Sequence, residues 1–119
     1  MRVRVDRSSV AMGDDALPHA ETLDVPPGAS LAEVVDGIVA GHFLATIAGG
    51  RATWVLVADR PLAVLAQQWD EPRYLVDAAR PIGSFAAADG EVSLLFRYWK
   101  QRDPAHVFAE LAAGRTPAR

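Results

Sequence analysis

The tetrad Ser30-Leu31-Ala32-Glu33 constrains the fold more than any other part of the sequence. It is a capping box, in which a serine hydroxyl can accept from the amide three residues on and a glutamate can reach back to the serine amide. Leu31, Val34, Val35, Ile38 and Val39 then recur on one helical face, with Glu33 and Asp36 on the other. Gly41 is placed to close the helix in a left-handed conformation. The result is one amphipathic helix of about three turns, and most of the chain on either side of it reads as strand and turn. A sheet needs its apolar face covered, and this helix is the cover available in mid-chain.

Before the helix, Val3 and Val5 alternate with Arg2, Arg4 and Asp6, the pattern of a half-buried strand. Val10 and Met12 continue the alternation, so the strand is expected to extend through a bulge near Ser8-Ser9. Gly13-Asp14-Asp15 supplies a turn and Pro18 keeps the next segment out of a helix. Leu23 and Val25 alternate again, giving a second strand. The short separation favours an antiparallel hairpin.

After the helix, Phe43, Leu44 and Ile47 form a short apolar segment before Gly49-Gly50. Thr53 to Val57 and Leu62 to Ala66 are rich in strand formers and flank the turn Asp59-Arg60-Pro61, which predicts a central hairpin. Residues 67–81 read mainly as loop, with a short turn or strand near Tyr74-Leu75-Val76. Ala88-Asp89-Gly90 is a turn, and Val92, Leu94, Phe96 and Tyr98 alternate as a last strand. Asp103-Pro104 starts a second helix, Val107, Phe108 and Leu111 form its stripe, and Gly114 ends it. The reading is one domain over residues 1–114 and a disordered tail over 115–119, whose removal is expected to leave stability unchanged.

The fold class is α+β: a β-grasp-like mixed sheet packed on one main helix, with a short C-terminal helix. A split β-α-β sandwich is the alternative. The stretch Leu23-Asp24-Val25-Pro26-Pro27-Gly28-Ala29-Ser30-Leu31, followed by the helix, resembles the strand-to-helix crossing of ubiquitin-like and bacterial sulfur-carrier proteins, over roughly residues 20–41. For function, the resemblance implies a free C-terminal Gly-Gly. Here the Gly-Gly pair, Gly49-Gly50, is internal and reads as a turn needing positive φ, and the last residues are Gly114-Arg115-Thr116-Pro117-Ala118-Arg119. Modifier or sulfur-carrier chemistry therefore does not carry over with the fold.

Net charge is −3, so no global attraction to nucleic acid or anionic membrane is expected. No apolar run approaches the roughly 20 residues of a membrane helix. The absence of cysteine removes disulfides, thiolate catalysis and cysteine-based zinc sites, and fits a reducing cytoplasm. Arginine outnumbers lysine eleven to one and alanine is abundant, the bias of a GC-rich bacterial genome.

Chemistry-bearing residues mostly have ordinary structural roles. His19, His42 and His106 are isolated, without the paired spacing of a metal site, and His42 lies where an imidazole suits a helix C-terminus. Asp14-Asp15 reads as a turn rather than an acid–base or metal pair, and Ser8, Ser9 and Ser30 lie in no nucleophile elbow. No phosphate-cradling glycine loop occurs. No catalytic residue, metal or cofactor is nominated.

Two stretches remain. Gln67-Gln68-Trp69-Asp70-Glu71-Pro72-Arg73-Tyr74 and Arg97-Tyr98-Trp99-Lys100-Gln101-Arg102 concentrate aromatics, amides and charges after strands. Arginine, tryptophan and tyrosine dominate binding hot spots, and Gln68, Trp69, Arg73, Tyr74, Arg97 and Trp99 are the nominated binding residues. Against this stands packing of the tryptophans over sheet ends behind a solvated rim. The leading expectation is a non-enzymatic module presenting a sheet face or edge to another protein. The alternative is a small-ligand binder or enzyme whose pocket Gln68, Trp69, Arg73, Arg97 and Trp99 would line. A third reading is single-stranded nucleic acid on Tyr98 and Trp99. Self-association is left open.

Overall fold

A computed structural model describes residues 1–8 and 19–119. The expected strand extension through Val10 and Met12, the turn at Gly13-Asp14-Asp15, and Ser9 and Pro18 lie outside the described residues.

The fold is α+β. Among the described residues six strands, β1 (Arg2–Arg7), β2 (Glu21–Asp24), β3 (Thr53–Ala58), β4 (Arg60–Ala66), β5 (Arg73–Tyr74) and β6 (Val92–Tyr98), form one mixed sheet in the order β2-β1-β6-β3-β4-β5. Helix α1 (Leu31–Ala40) covers one face and α2 (Pro104–Ala112) packs on the other. The hairpin β1·β2 is antiparallel, with Val3 opposite Leu23, and Met1 and Val25 extend it by exchanging backbone bonds of 2.8 and 2.9 Å. The first and last strands lie side by side and parallel, Val3 beside Val92 and Arg7 beside Phe96. All other strand pairs are antiparallel.

Helix α1 forms as the capping box requires. Ser30 Oγ accepts from the Glu33 amide at 3.1 Å, and Glu33 Oε1 accepts from the Ser30 amide at 3.3 Å. The amides of Leu31 and Ala32, which no helix turn can satisfy, donate to the Arg80 and Ala78 carbonyls at 3.0 Å. The segment that sequence reasoning leaves as loop thus completes the helix start. It continues into an unforeseen 3-10 turn, Ile82–Phe85, whose Ile82 is fully buried. Leu31, Val34, Val35 and Ile38 are buried as the stripe predicts, but Val39 is 43% exposed because it falls at the edge of the stripe. Closure also differs from expectation. Gly41 keeps φ −80, and His42 takes the left-handed conformation at φ 59.

The main core lies between α1 and the sheet. Val3, Val5, Trp54, Leu56, Leu65, Leu94 and Phe96 meet the α1 stripe, and Phe43 packs on Phe96 with ring centroids 6.2 Å apart. Strands β3 and β4 join at a single residue, Asp59, at φ 68, so Arg60 and Pro61 belong to β4 rather than to a turn. A bulge between Leu56 and Val57 absorbs the register shift.

On the far face, Val55, Val64, Trp99 and Val107 make a second, smaller buried cluster, with Val57, Trp69, Phe108 and Leu111 partly buried against it. The link into α2 is fixed by Thr53, fully buried, whose hydroxyl donates to the Arg102 carbonyl at 2.6 Å. Asp103 then caps the helix by accepting from the Ala105 amide, and Gly114 at φ 80 ends it. Residues 115–119, expected to be a disordered tail, turn back on this layer. Arg115 pairs with Glu110, Pro117 is buried, and the Arg119 guanidinium donates to the Tyr98 carbonyl at 2.9 Å while lying over the Trp99 ring. The Arg102 guanidinium in turn donates to the Arg119 carbonyl at 2.8 Å. Sequence reasoning passes over the anchor here because it consists of one proline, Pro117, and a planar cation on an indole face.

Candidate functional site

The six nominated residues divide between two faces of the sheet and its end. Val64 opposes Arg73 and Val55 opposes both Val64 and Arg97, so one cross-strand row reads Arg97, Val55, Val64, Arg73. All four side chains therefore belong to the face that carries α2. The Arg73 guanidinium lies 4.3 Å from the Trp69 ring centroid, and those of Arg97 and Arg119 lie 5.8 and 5.2 Å from that of Trp99.

The two aromatic stretches thus do meet, as two tryptophans in one apolar cluster rimmed by arginines. They do not form an open aromatic surface. Trp99 is only 5% exposed beneath Val107, and Trp69 is half-buried. Such a ring offers no free face for a nucleic-acid base to stack on.

Tyr74 and Gln68 lie apart from that cluster. Tyr74 pairs with Ala63 and packs against the main core, on the α1 side. Its hydroxyl is buried without a hydrogen-bond partner among the described residues, and its pKa is pushed up to about 12, first by burial and then by the charge of Asp36. Gln68 accepts from the Ala52 amide at 3.2 Å, while its neighbour Gln67 both accepts from and donates to the Ile47 backbone. The two amides that suggested recognition brace the 47–52 loop.

A separate concavity was not foreseen from the sequence. A cleft of about 440 Å³ runs between the C-terminal half of α1 and the connection from β4 to β5. Trp54, Leu65, Val39 and Leu44 give it apolar walls, and Trp69 closes one side. Asp36, Asp70 and Glu71 stand around it with His42, and among the described residues neither lysine nor arginine lines it. Trp69 alone among the six nominated residues belongs to this lining. Two sequence signals were available: the edge position of Val39 on its stripe, and the adjacent acids Asp70-Glu71 directly after Trp69. Joining them requires knowing that β4 ends beside the C-terminus of α1.

A second cleft of about 300 Å³, between α1 and the β1·β2 hairpin, is lined by Arg7, His19, Glu21 and His42 among others. His19 and His42, isolated in sequence, thus share a cavity, whereas His106 is exposed on α2. Among the described residues no group of three or more histidine, aspartate or glutamate side chains is arranged to hold a metal ion. No described helix is long and apolar enough to cross a membrane. No protein-family model matches the chain, and neither a curated protein nor a solved structure is found to match it.

Proposed function

We propose that the chain is a β-grasp protein-binding module that offers the cleft between α1 and the connection from β4 to β5 to a partner protein. The β-grasp reading is supported by an N-terminal hairpin, a helix crossing one face, and parallel pairing of the first and last strands. The binding reading is carried by the cleft itself, an apolar concavity beside a valine that leaves 43% of its surface in water. Exposed apolar surface within a polar rim marks interaction sites. The cysteine-free sequence supports action in a reducing cytoplasm, and the arginine and alanine bias supports a GC-rich bacterial source.

The test is position-specific photo-crosslinking in the native cell. A photoreactive residue at Val39 should capture a defined protein, and the same residue at Ser93, exposed on the opposite face, should not. Equal capture at both positions, or none at Val39, would remove this reading.

A further inference from the structure

We infer that the cleft takes an apolar side chain carried on a positively charged peptide segment, an aliphatic or aromatic residue with lysine or arginine beside it. This rests on the reading of the cleft as the partner-binding surface, and adds the partner's chemistry. Three observations point the same way. Asp36, Asp70 and Glu71 surround the cleft, and among the described residues none of the three forms an ion pair or hydrogen bond. Carboxylates without partners at the mouth of an apolar cavity favour a cation nearby and disfavour an anion. Independently, the last turn of α1 contains no basic residue, and His42 just beyond it is the one basic side chain in the described lining, so neither lysine nor arginine offsets the partial negative charge of the helix C-terminus beside Val39 and Ala40. Finally, the walls are apolar: Leu65 and Trp54 are 5% and 2% exposed, and Val39 is one of two large apolar residues left exposed among the described residues.

The size sets the scale of the ligand. At about 440 Å³ the cleft is near the lower end of ordinary ligand sites, roughly 300–1,000 Å³. That is room for one large side chain with the flanking backbone, not for a helix laid along its length. The apolar residue supplies affinity by leaving water, and the flanking cations supply selection. Because the carboxylates stand at a solvent-facing rim, their contribution is screened by salt.

The test is a nuclear magnetic resonance titration of the isotope-labelled full chain with three acetylated, amidated pentapeptides: Ala-Lys-Leu-Lys-Ala, Ala-Glu-Leu-Glu-Ala and Ala-Lys-Ala-Lys-Ala. The first should shift amides in segments 36–45 and 65–72 in a saturable way. The other two should bind at least about tenfold more weakly, through lost charge selection or lost apolar burial. The double variant Asp70→Asn, Glu71→Gln should keep its amide dispersion and bind the first peptide about three- to tenfold more weakly, since each exposed charge pair contributes modestly. Raising salt from about 0.05 to about 0.5 M should weaken the wild type and leave the double variant less affected. If all three peptides bind the cleft equally, the chemistry assigned to the partner is wrong while the cleft remains a docking surface. If none perturbs the cleft at millimolar concentration, both this inference and the docking role fall.

Discussion

The two faces of the sheet are covered in different ways. The α1 face is a broad apolar layer in which aliphatic side chains from β1, β3, β4, β6 and the helix surround Trp54 and Phe96. The α2 face is narrow: Val55, Val64, Trp99 and Val107 are buried, and arginines and the C-terminal residues complete the cover. A wide apolar layer excludes water with apolar side chains alone. A narrow one draws as well on the stems and planar heads of arginine. Aromatic and polar residues clustered after a strand therefore do not by themselves identify a binding surface, because a short late helix can turn the same residues into packing.

If the faces differ in this way, substitutions should separate them. Phe96→Ala, at the centre of the α1 layer, is expected to cost about 3–5 kcal/mol, and Val107→Ala, at the centre of the α2 layer, about 2 kcal/mol. Urea midpoints of the two variants measure the gap, and equal losses would mean that the layers form one core of uniform density. Ser30→Ala should cost about 1 kcal/mol by removing the acceptor for the Glu33 amide, a local effect on α1 that hydrogen exchange would register at residues 31–34 before the rest of the helix.

Smaller still is Arg119→Ala, at about 0.5–1 kcal/mol for loss of the cation over Trp99. Its mark should be faster exchange in α2 with α1 unaltered, and faster exchange in both helices would break the separation. The smallest expected change is Tyr74→Phe, within about 0.5 kcal/mol of wild type at neutral pH, since it deletes a buried hydroxyl that has no partner among the described residues. The same pair of proteins should diverge in alkali. In the unfolded chain Tyr74 loses its proton near 10, whereas in the folded chain it holds the proton to about 12. Wild-type stability relative to the phenylalanine variant is therefore full below pH 10 and falls as pH rises through about 12. A flat difference across that window would place the hydroxyl in water.

Where local chemistry decides the structure, the sequence was readable. The capping box and the spacing of Leu31, Val34, Val35 and Ile38 predict α1 to its first residue, and the alternation of Val92, Leu94 and Phe96 predicts their common face. The same alternation already sends Arg97 and Trp99 to the opposite face, but says nothing of what waits there. That depends on α2 folding back over Val55 and Val64, a contact between segments far apart in the chain. The cleft was hidden for a similar reason, since Asp36 and Glu71 meet only through the sheet. Val39 marks the limit of a helical stripe as a guide: periodicity locates the buried face but not how far the neighbouring layer reaches across it. Nor does composition distinguish an amide that recognises a partner from one that braces a loop, as Gln67 and Gln68 do.

The position of β6 in the sheet has a consequence for how the protein is made. This strand lies between β1 and β3, and no other described strand joins the two hairpins. A ribosome adding ~5–20 residues per second needs on the order of ten seconds to travel from Val3 to its neighbour Val92. Until β6 is made, the inner edges of β1 and β3 lack the strand that pairs with both of them in the folded sheet. Such edges are where chains join to one another, and β6, by pairing with β1 and β3 together, covers both at once.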